Sequence, residues 1–538
     1  MGREGAPAYD LVVVGAGSAG CVLANRLSED PRRRVLLLEA GPRDTSPWLS
    51  IPAGTSKVFF HPQLNWGYTS EPEPNLDGRR LYWPRGKALG GSSAVNGMAY
   101  VRGHPADYDR WRQKGAVGWS WNDVLPYFKR SERNVNLGGE QHASQGELGV
   151  SDPDVRHRAS AAFIEAAQSL GVPARKDLND GEQEGVGFLQ FTIRNGVRQS
   201  TSRAFLAPAR GRPNLHIVTE ALAERVLFEG RRAVGVAYRR HGELRDARGG
   251  EIILAGGAIN SPQILMLSGI GPAEHLREHG VEVLHDLPEV GKNLQDHISV
   301  TLRAEMQRGF SINDQIAGPR LAPHVLNYLL RRKGLLTLGA SQASAFLRSG
   351  PHVEHPDLQI NFRPLSFAFS KAGKMQPDRI PAVTASVVHL RPQSTGRVWL
   401  ASRDPSDAPK MVANYLSTAE DRRAILAGVR WGQRIFGAAP LRERMSKPLE
   451  PTSDATDEAL LAFSRARAAS MCHPVSTCRM GGDEGSVVDP RLRVRGVENL
   501  RVVDASIMPD IVSGNTNAPA IMIGERGAAL ILEDAKAG

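Results

Sequence analysis

Apolar positions near the start of the chain form two short, unbroken runs. The first covers Tyr9 to Val14 and is rich in valine, and the second covers Val35 to Leu38. Such runs are typical of strands that are buried on both faces of a parallel sheet. Residues 18–28, which lie between them, mix apolar and polar positions as a packed helix does. The pattern predicts a strand–helix–strand unit at the start of a doubly wound α/β domain.

The turn between this first strand and the helix is rich in glycine. Gly15 permits a tight turn, Gly17 lets the backbone approach a pyrophosphate, and Gly20 lets the helix pack closely on the strand. Glu39 follows the second strand, where a carboxylate accepts hydrogen bonds from a ribose and disfavours the 2′-phosphate of NADP. The motif predicts a site for NAD or FAD, and its binding positions are Gly15, Gly17, Ser18, Ala19, Gly20, Glu39 and Ala40.

Strand-like alternation returns between residues 213 and 239, with a turn at Glu229-Gly230. A further apolar run at residues 251–254 is again followed by glycines. Ser261 is then a suitable N-cap for the next helix, and Pro262 suits its first position. From about residue 300 to 465 the strand and helix patterns are mixed and contain no phosphate-binding motif, which predicts a separate substrate or cap domain.

Two stretches early in the chain predict loops instead of regular elements. Residues 42–85 are rich in Pro, Gly, Asn and Trp, and we expect them to cover a cofactor or to contact another subunit. Residues 86–97 are glycine-rich and let the backbone approach a flat or anionic group. The candidate contacts in this second stretch include Gly90, Gly91 and Ser92.

Composition narrows the class of protein. A chain of 538 residues with 41% hydrophobic positions predicts a globular protein of two domains with a shared interface. Its three cysteines exclude a disulfide framework and indicate a reducing compartment. We see no secretion signal and no membrane-spanning run, so we expect a soluble cytoplasmic protein. The net charge of +10 comes from scattered arginines, which predicts no nucleic-acid partner and at most weak contact with an anionic membrane or an acidic partner.

Four segments in the same order resemble the motifs of the glucose-methanol-choline oxidoreductases. Residues 86–97 resemble the first family motif, and residues 257–271 resemble the second. Residues 473–481 and 503–519 are similar to the closing block of the family. The resemblance extends from about residue 9 to residue 530.

The resemblance implies an α/β fold, in which a Rossmann-like FAD-binding domain is interleaved with a smaller α+β substrate-binding domain. The FAD-binding domain would take residues 1–155, 213–300 and 466–538, and the substrate-binding domain would take residues 156–212 and 301–465. The last segment would also carry the catalytic residues.

The same resemblance implies FAD as the cofactor. Glu39 would hold the adenosine ribose, Ala223 would meet adenine through its backbone, and Pro519 would begin a helix over residues 520–532 that faces the flavin. The remaining implied contacts are Asp504 and Ala505 near the pyrophosphate and ribityl chain, and Asn96 and Gly97 near the isoalloxazine. Some family members bond the flavin covalently to a histidine at the position of Val95, so here the FAD should be non-covalent.

The chemistry expected of such a site is alcohol oxidation. A neutral imidazole, which we assign to His473, takes the hydroxyl proton while hydride passes from the same carbon to flavin N5. Asn517 would hold the substrate oxygen and also contact the cofactor, and Asn515 is interpreted as a turn residue beside Gly514. No metal site is predicted, because Cys472, His473 and Cys478 lack the spacing of zinc ligands.

Several functions stay open at this point. Choline-binding members tend to place a tyrosine just before the catalytic histidine, where this chain has Cys472, so a neutral primary alcohol, aliphatic or aromatic, is favoured over choline. Electrons could pass to a quinone or another carrier, as in a dehydrogenase, or to O2, as in an oxidase. A non-redox hydroxynitrile lyase with structural FAD is the alternative from another class.

Overall fold

The computed structural model describes residues 9–369 and 375–537, and two β-sheets organise these residues. The first sheet is parallel in its core and continues into an antiparallel extension. In spatial order its strands are Leu215–Val218, Val35–Leu38, Tyr9–Val14, Glu243–Leu254, Arg232–Arg240 and Ala221–Glu229, and Leu500–Val502 also pairs with Glu243–Leu254.

The core of the first sheet is apolar, and its parallel strands place apolar residues side by side. Val13 lies opposite Leu37 on one neighbouring strand and Ile253 on the other, and all three side chains are fully buried. This arrangement confirms the strand–helix–strand unit predicted from the two apolar runs. The strands and the Glu229–Gly230 turn predicted between residues 213 and 239 are also confirmed.

Two helices from opposite ends of the chain pack together beside this sheet. Ser18–Leu27 lies against Asn517–Ala537, so closely that a Cβ added to Gly524 would lie 2.9 Å from the carbonyl oxygen of Ala19. Arg26 joins the two helices through a 2.7 Å ion pair with Glu525, whose side chain is fully buried. The first and last helices are therefore parts of one packing unit.

The second sheet has six antiparallel strands. Their spatial order is Ala468–Ser470, Ile298–Glu305, Ala382–His389, Leu358–Arg363, Ala343–Leu347 and Gly185–Phe188. Apolar residues such as Val300 and Leu302 face the helices Arg158–Ser169 and Ala419–Gly437. On three of these strands several alternate positions are polar, among them Ser299, Asn361 and Ser386.

Shorter elements connect the two sheets. Within residues 42–85 the strands are only Tyr68–Thr69 and Tyr82–Trp83, which fits the predicted irregular loop. The remaining α-helices of at least five residues are Pro105–Gln113, Trp121–Ser131, Gly257–Leu267, Ala273–Glu278, Ile312–Ile316, Leu321–Arg331 and Asp457–Arg467, and Ser202–Leu206 forms a π-helix. No helix in the described part of the chain combines the length and the apolar character needed to cross a bilayer.

The α/β architecture predicted from the sequence is confirmed, but two helix starts were predicted too late. The helix expected to begin at Pro262 begins at Gly257, so Ser261 lies inside it and is not its N-cap. The hydroxyl of Ser261 donates to Asp504 and accepts the N–H of Gly256. The last helix begins at Asn517 instead of residue 520. The predicted segment boundary at residue 300 falls inside the strand Ile298–Glu305 of the second sheet. The division of the chain into five segments stays a prediction.

Candidate active site

One cavity of about 520 Å³ lies between the two sheets. Most of the predicted cofactor positions line it, namely Gly15, Gly17, Ser18, Ala19, Glu39, Ala40, Gly91, Ser92, Asn96, Gly97, Ala223, Asp504, Ala505 and Asn517. Gly20, Gly90 and Pro519 do not line it. Gly20 instead permits close packing, because a Cβ there would lie 1.8 Å from the carbonyl oxygen of Gly15.

The glycine-rich turn forms a cradle at one end of the cavity. Gly15 has a φ of +101°, and an added Cβ would lie 2.6 Å from the carbonyl oxygen of Ala255. Gly91 has a φ of +50°, and a Cβ added to it would lie 2.7 Å from Cα of Gly17. Larger residues would fill this space, and the N-terminus of the helix Ser18–Leu27 opens into it. The cradle therefore fits a pyrophosphate held by backbone donors.

Glu39 is held beside this cradle by two backbone groups. The N–H of Ala16 donates to Oε2 at 2.8 Å, and the N–H of Gly41 donates to Oε1 at 2.8 Å. Burial raises the pKa of Glu39 to about 7, although both backbone donors oppose this rise. Each carboxylate oxygen keeps a lone pair for another donor, as a ribose diol requires. The residues present thus fit the adenosine half of FAD.

The other end of the cavity is formed by the loop that carries His473. The strand Ala468–Ser470 leads into this loop, where Cys472 adopts a left-handed φ of 62°. Asp296 fixes the loop: its Oδ1 accepts the His473 N–H at 2.6 Å, and its Oδ2 accepts the hydroxyl of Ser470 at 2.5 Å. A left-handed cysteine is strained, so the position of His473 is maintained by these surrounding bonds.

The hydrogen bonds around His473 determine which of its ring nitrogens carries a proton. Nε2 of His297 lies 3.0 Å from the carbonyl oxygen of Leu390, and this nitrogen must donate because a carbonyl only accepts. Burial lowers the pKa of His297 to about 4, so its Nδ1 is unprotonated at neutral pH. That Nδ1 lies 3.0 Å from Nδ1 of His473, which therefore donates. Nε2 of His473 is left unprotonated, with a lone pair that can accept a hydrogen bond.

Electrostatics also keep His473 neutral. Burial lowers its pKa well below the ordinary histidine value, and the neighbouring His297 and Arg85 lower it further. A neutral imidazole with an unprotonated Nε2 is the form that accepts a proton from a substrate.

An amide faces this nitrogen, but it belongs to Asn515. Nδ2 of Asn515 lies 3.2 Å from Nε2 of His473, while its Oδ1 is buried without a hydrogen-bond partner. The side chain of Asn517 instead accepts the hydroxyl of Ser18 at 2.7 Å, next to the glycine-rich cradle. The structure thus brings Asn515 into contact with His473, where the sequence had favoured Asn517, and it gives Asn515 more than a turn-forming role.

Sequence analysis also missed an arginine that anchors the predicted flavin segment. NH1 of Arg198 donates to the carbonyl oxygen of Asn96 at 2.6 Å and to its Oδ1 at 2.9 Å. Burial lowers the pKa of Arg198 to about 9. Asn96 and its neighbour Val95 are thereby fixed along the cavity wall. No local motif marks Arg198, since its partner lies about a hundred residues earlier in the chain.

Comparison with known proteins places this geometry in a family. The sequence model for GMC oxidoreductases matches residues 9–299 in its N-terminal part and residues 392–524 in its C-terminal part. The chain is a GMC oxidoreductase. It uses FAD and acts on CH–OH groups.

Relatives of this GMC oxidoreductase match it over nearly their whole length. An alcohol dehydrogenase (acceptor) of Pseudomonas putida is 45% identical over 530 residues, which cover 97% of this chain and 96% of that protein. The mitochondrial choline dehydrogenase of Homo sapiens is 44% identical over 541 residues, 98% of this chain and 91% of that protein. The crystal structure of pyridoxine 4-oxidase from Mesorbium loti superposes with a TM-score of 0.89 at 31% identity, covering 98% of this chain and 99% of that one.

The predicted family, fold class, cofactor and enzyme class are confirmed by these comparisons. The relatives give no support to the hydroxynitrile lyase alternative.

Proposed function

We propose that this GMC oxidoreductase oxidises a primary alcohol to an aldehyde, with His473 as the base. The observation that carries this proposal is the unprotonated Nε2 of His473 at the cavity. Two hydrogen bonds, from His473 to His297 and from His297 to the carbonyl of Leu390, set this tautomer. A substrate hydroxyl beside this nitrogen donates its proton to Nε2.

Asn515 supplies the second contact to the substrate oxygen in this proposal. Its Nδ2 already lies 3.2 Å from Nε2 of His473, so one hydroxyl can bridge the two groups. The oxygen donates to His473 and accepts from the amide, which fixes the carbon that is to be oxidised. Asn517 is reassigned to the cofactor end, where it orients Ser18 at the start of the first helix.

When bound, FAD supplies the acceptor for the hydride that leaves the substrate carbon. Residues of the cradle and Glu39 would hold its adenosine diphosphate half, and the segment from Val95 to Gly97 lies along the wall of the same cavity. Valine has no nucleophile with which to bond a flavin, which supports non-covalent binding.

Electron acceptor and location complete the proposal. We favour a quinone or another carrier over O2, since the Pseudomonas putida relative is named for an acceptor. A reducing, cytoplasmic location is supported by the cysteines Cys21, Cys472 and Cys478, none of which forms a disulfide. The basic surface allows weak contact with an anionic membrane.

The test is anaerobic mixing of the purified, flavin-loaded protein with a panel of primary alcohols and choline. Bleaching of the oxidised-flavin band by an alcohol supports the proposal, and loss of that bleaching in His473→Ala with FAD retained identifies the base. Bleaching at the wild-type rate in His473→Ala would remove His473 from this role. Admitting air to the bleached enzyme distinguishes an oxidase, which recovers its colour at once, from a dehydrogenase.

A further inference from the structure

The cavity wall formed by the second sheet carries one arginine. Its cavity-lining residues come from four neighbouring strands and are Ser299, Thr301, Asn361, Arg363, Ser386, Ala469 and Ser470. Five of these are neutral and polar. Within residues 9–369 and 375–537, Arg363 is therefore the single charged group on this wall, in the same cavity as His473 and Asn515.

Arg363 has little within the protein to balance its charge. One terminal nitrogen donates to the hydroxyl of Ser386, while Nε is buried without a hydrogen-bond partner in the part of the chain that the structure describes. Among residues 9–369 and 375–537 no carboxylate forms an ion pair with it, and burial is the cause that lowers its pKa. A buried guanidinium without an anion costs free energy that a bound anion recovers.

A neighbouring arginine on the same sheet, Arg303, has carboxylates that neutralise its charge. Thr384 pairs in register with Arg303 on one side and with Arg363 on the other, so the two arginines occupy one row across the sheet. Arg303 lies 2.7 Å from Asp378 and 3.3 Å from Glu305, and it does not line the cavity. The arginine that faces the cavity is thus the one without a carboxylate.

We propose that the substrate alcohol carries a carboxylate, which binds Arg363 while the hydroxyl reaches His473. This inference rests on the proposed function of the site and names its substrate class, a hydroxy acid. The planar guanidinium offers two parallel donors that match a carboxylate. On this wall a single positive charge lies among neutral hydroxyl and amide groups, which fits a monoanion better than a phosphate dianion. The other arginine that lines the cavity, Arg85, donates to the carbonyl oxygen of Cys472.

The fold also sets the spacing between the two ends of this substrate. The strand Leu358–Arg363 is the third neighbour of Ala468–Ser470, the strand that leads to His473. At ~4.8 Å per neighbour, the two strands are ~14 Å apart. Arg363 also lies level with Arg303 near one end of Ile298–Glu305, whereas His473 bonds Asp296 and His297 at the other end, so a wide gap separates the two groups. A 2-hydroxy acid is too short to span it, so the hydroxyl and the carboxylate are separated by several carbons, as in an ω-hydroxy acid.

The same charge argues against choline as the substrate. A quaternary ammonium in this cavity would lie near the guanidinium of Arg363, which no carboxylate neutralises. Two positive charges repel strongly in a desolvated site. The aromatic ring of Trp66 at the cavity is already covered by Lys87, whose Nζ lies 4.4 Å from the ring centroid.

The experiment uses the flavin-loaded enzyme with 6-hydroxyhexanoate and its methyl ester, in the presence of an artificial electron acceptor. We expect kcat/KM to be at least about tenfold higher for the acid than for the ester. Arg363→Met should lower this acid-to-ester ratio by about a hundredfold, and Arg363→Lys should lower it less. The control Arg277→Met, on the exposed face of the helix Ala273–Glu278, should leave the ratio unchanged.

A binding measurement separates this inference from the proposed function. Hexanoate has no hydroxyl to oxidise, so its effect on the visible spectrum of bound FAD reports binding alone. We expect Arg363→Met to weaken hexanoate binding by about a hundredfold. This loss would support the inference even if neither alcohol were oxidised, an outcome that would overturn the proposed function.

Two results would overturn the inference itself. The first is equal loss of kcat/KM for acid and ester in Arg363→Met, which indicates a merely structural arginine. The second is wild-type enzyme that oxidises the ester but neither prefers the acid nor binds hexanoate, which leaves the proposed function intact.

Discussion

The Nδ1 atoms of His297 and His473 lie 3.0 Å apart, so one ring must donate to the other. Since the carbonyl of Leu390 takes the only proton of neutral His297, the donor is His473. His297 is thus a positioning residue, because it selects the tautomer of the base without touching the substrate.

Replacing His297 should therefore slow the chemical step and leave the cofactor bound. We expect His297→Phe to lower the rate of flavin reduction by about 10- to 100-fold, and His297→Gln, whose amide oxygen can accept, to recover part of it. Anaerobic stopped-flow mixing measures this rate. The exposed His352→Phe serves as a control, and an unaltered rate in His297→Phe would show that the tautomer is set in another way.

The pH profile should reflect the low pKa of His473. The base works in its deprotonated form, and a lowered pKa keeps it in that form as the pH falls. The acid limb of kcat/KM should consequently lie below the ordinary histidine value of about 6.5. Arg85→Gln removes a charge that lowers this pKa, so the limb should move to higher pH. A limb that stays in place would exclude His473 as the titrating group.

Asn515 and Asn517 should differ in which property they control. We expect Asn515→Ala to lower the rate of flavin reduction by about 100-fold with FAD retained, because the substrate oxygen loses its donor. Asn517→Ala should mainly weaken FAD retention, since Ser18 loses its partner at the cradle. Rapid-reaction rates and flavin content after dialysis measure the two effects. The opposite pattern would restore the assignment that the sequence favoured.

Glu39 should control retention of FAD without entering the chemistry. In Glu39→Gln the amide nitrogen would face the N–H of Ala16 or that of Gly41, donor against donor. We expect the flavin to dissociate about 10- to 100-fold more readily, and Glu39→Arg to have a larger effect. Flavin absorbance per protein after extensive dialysis gives the result, and full retention in both variants would count against the ribose contact.

Stability should depend on the ion pair that joins the first and last helices. Arg26→Met leaves the fully buried carboxylate of Glu525 with only Arg130, whose Nε lies 3.4 Å away. We expect a loss of about 3 kcal/mol in the free energy of unfolding, measured by urea denaturation. The matched control is Arg32→Met, because Arg32 is 89% exposed and its pair with Asp30 contributes little. Equal losses in the two variants would contradict the argument.

Local patterns predicted the first sheet well because its signals lie close together in the chain. The runs at Tyr9–Val14 and Val35–Leu38, the glycines between them and Glu39 all belong to one unit. The start of the helix at Gly257 was less predictable, because Ser261 and Pro262 have the residue types of a helix start although they lie in its interior.

The active site was only partly predictable, because its contacts join distant segments. Asn515 and Asn517 are only two residues apart, so the sequence does not show which of them contacts His473. In the folded chain, the turn before the last helix places Asn515 against His473 and Asn517 against Ser18. His297 and Arg363 have no motif of their own. An arginine in a strand ordinarily forms an ion pair with a carboxylate. That Arg363 has no such partner is visible only once the strands are placed in register.

The interleaved chain has a consequence for synthesis on the ribosome. The strand Leu500–Val502 completes the first sheet, and the helix Asn517–Ala537 covers the helix Ser18–Leu27. A nascent chain that has reached residue 465 therefore has an N-terminal unit with an unpaired strand and an uncovered apolar helix face. Such surfaces invite premature association, so this fold depends on protection of its earliest-made part until its latest-made part arrives.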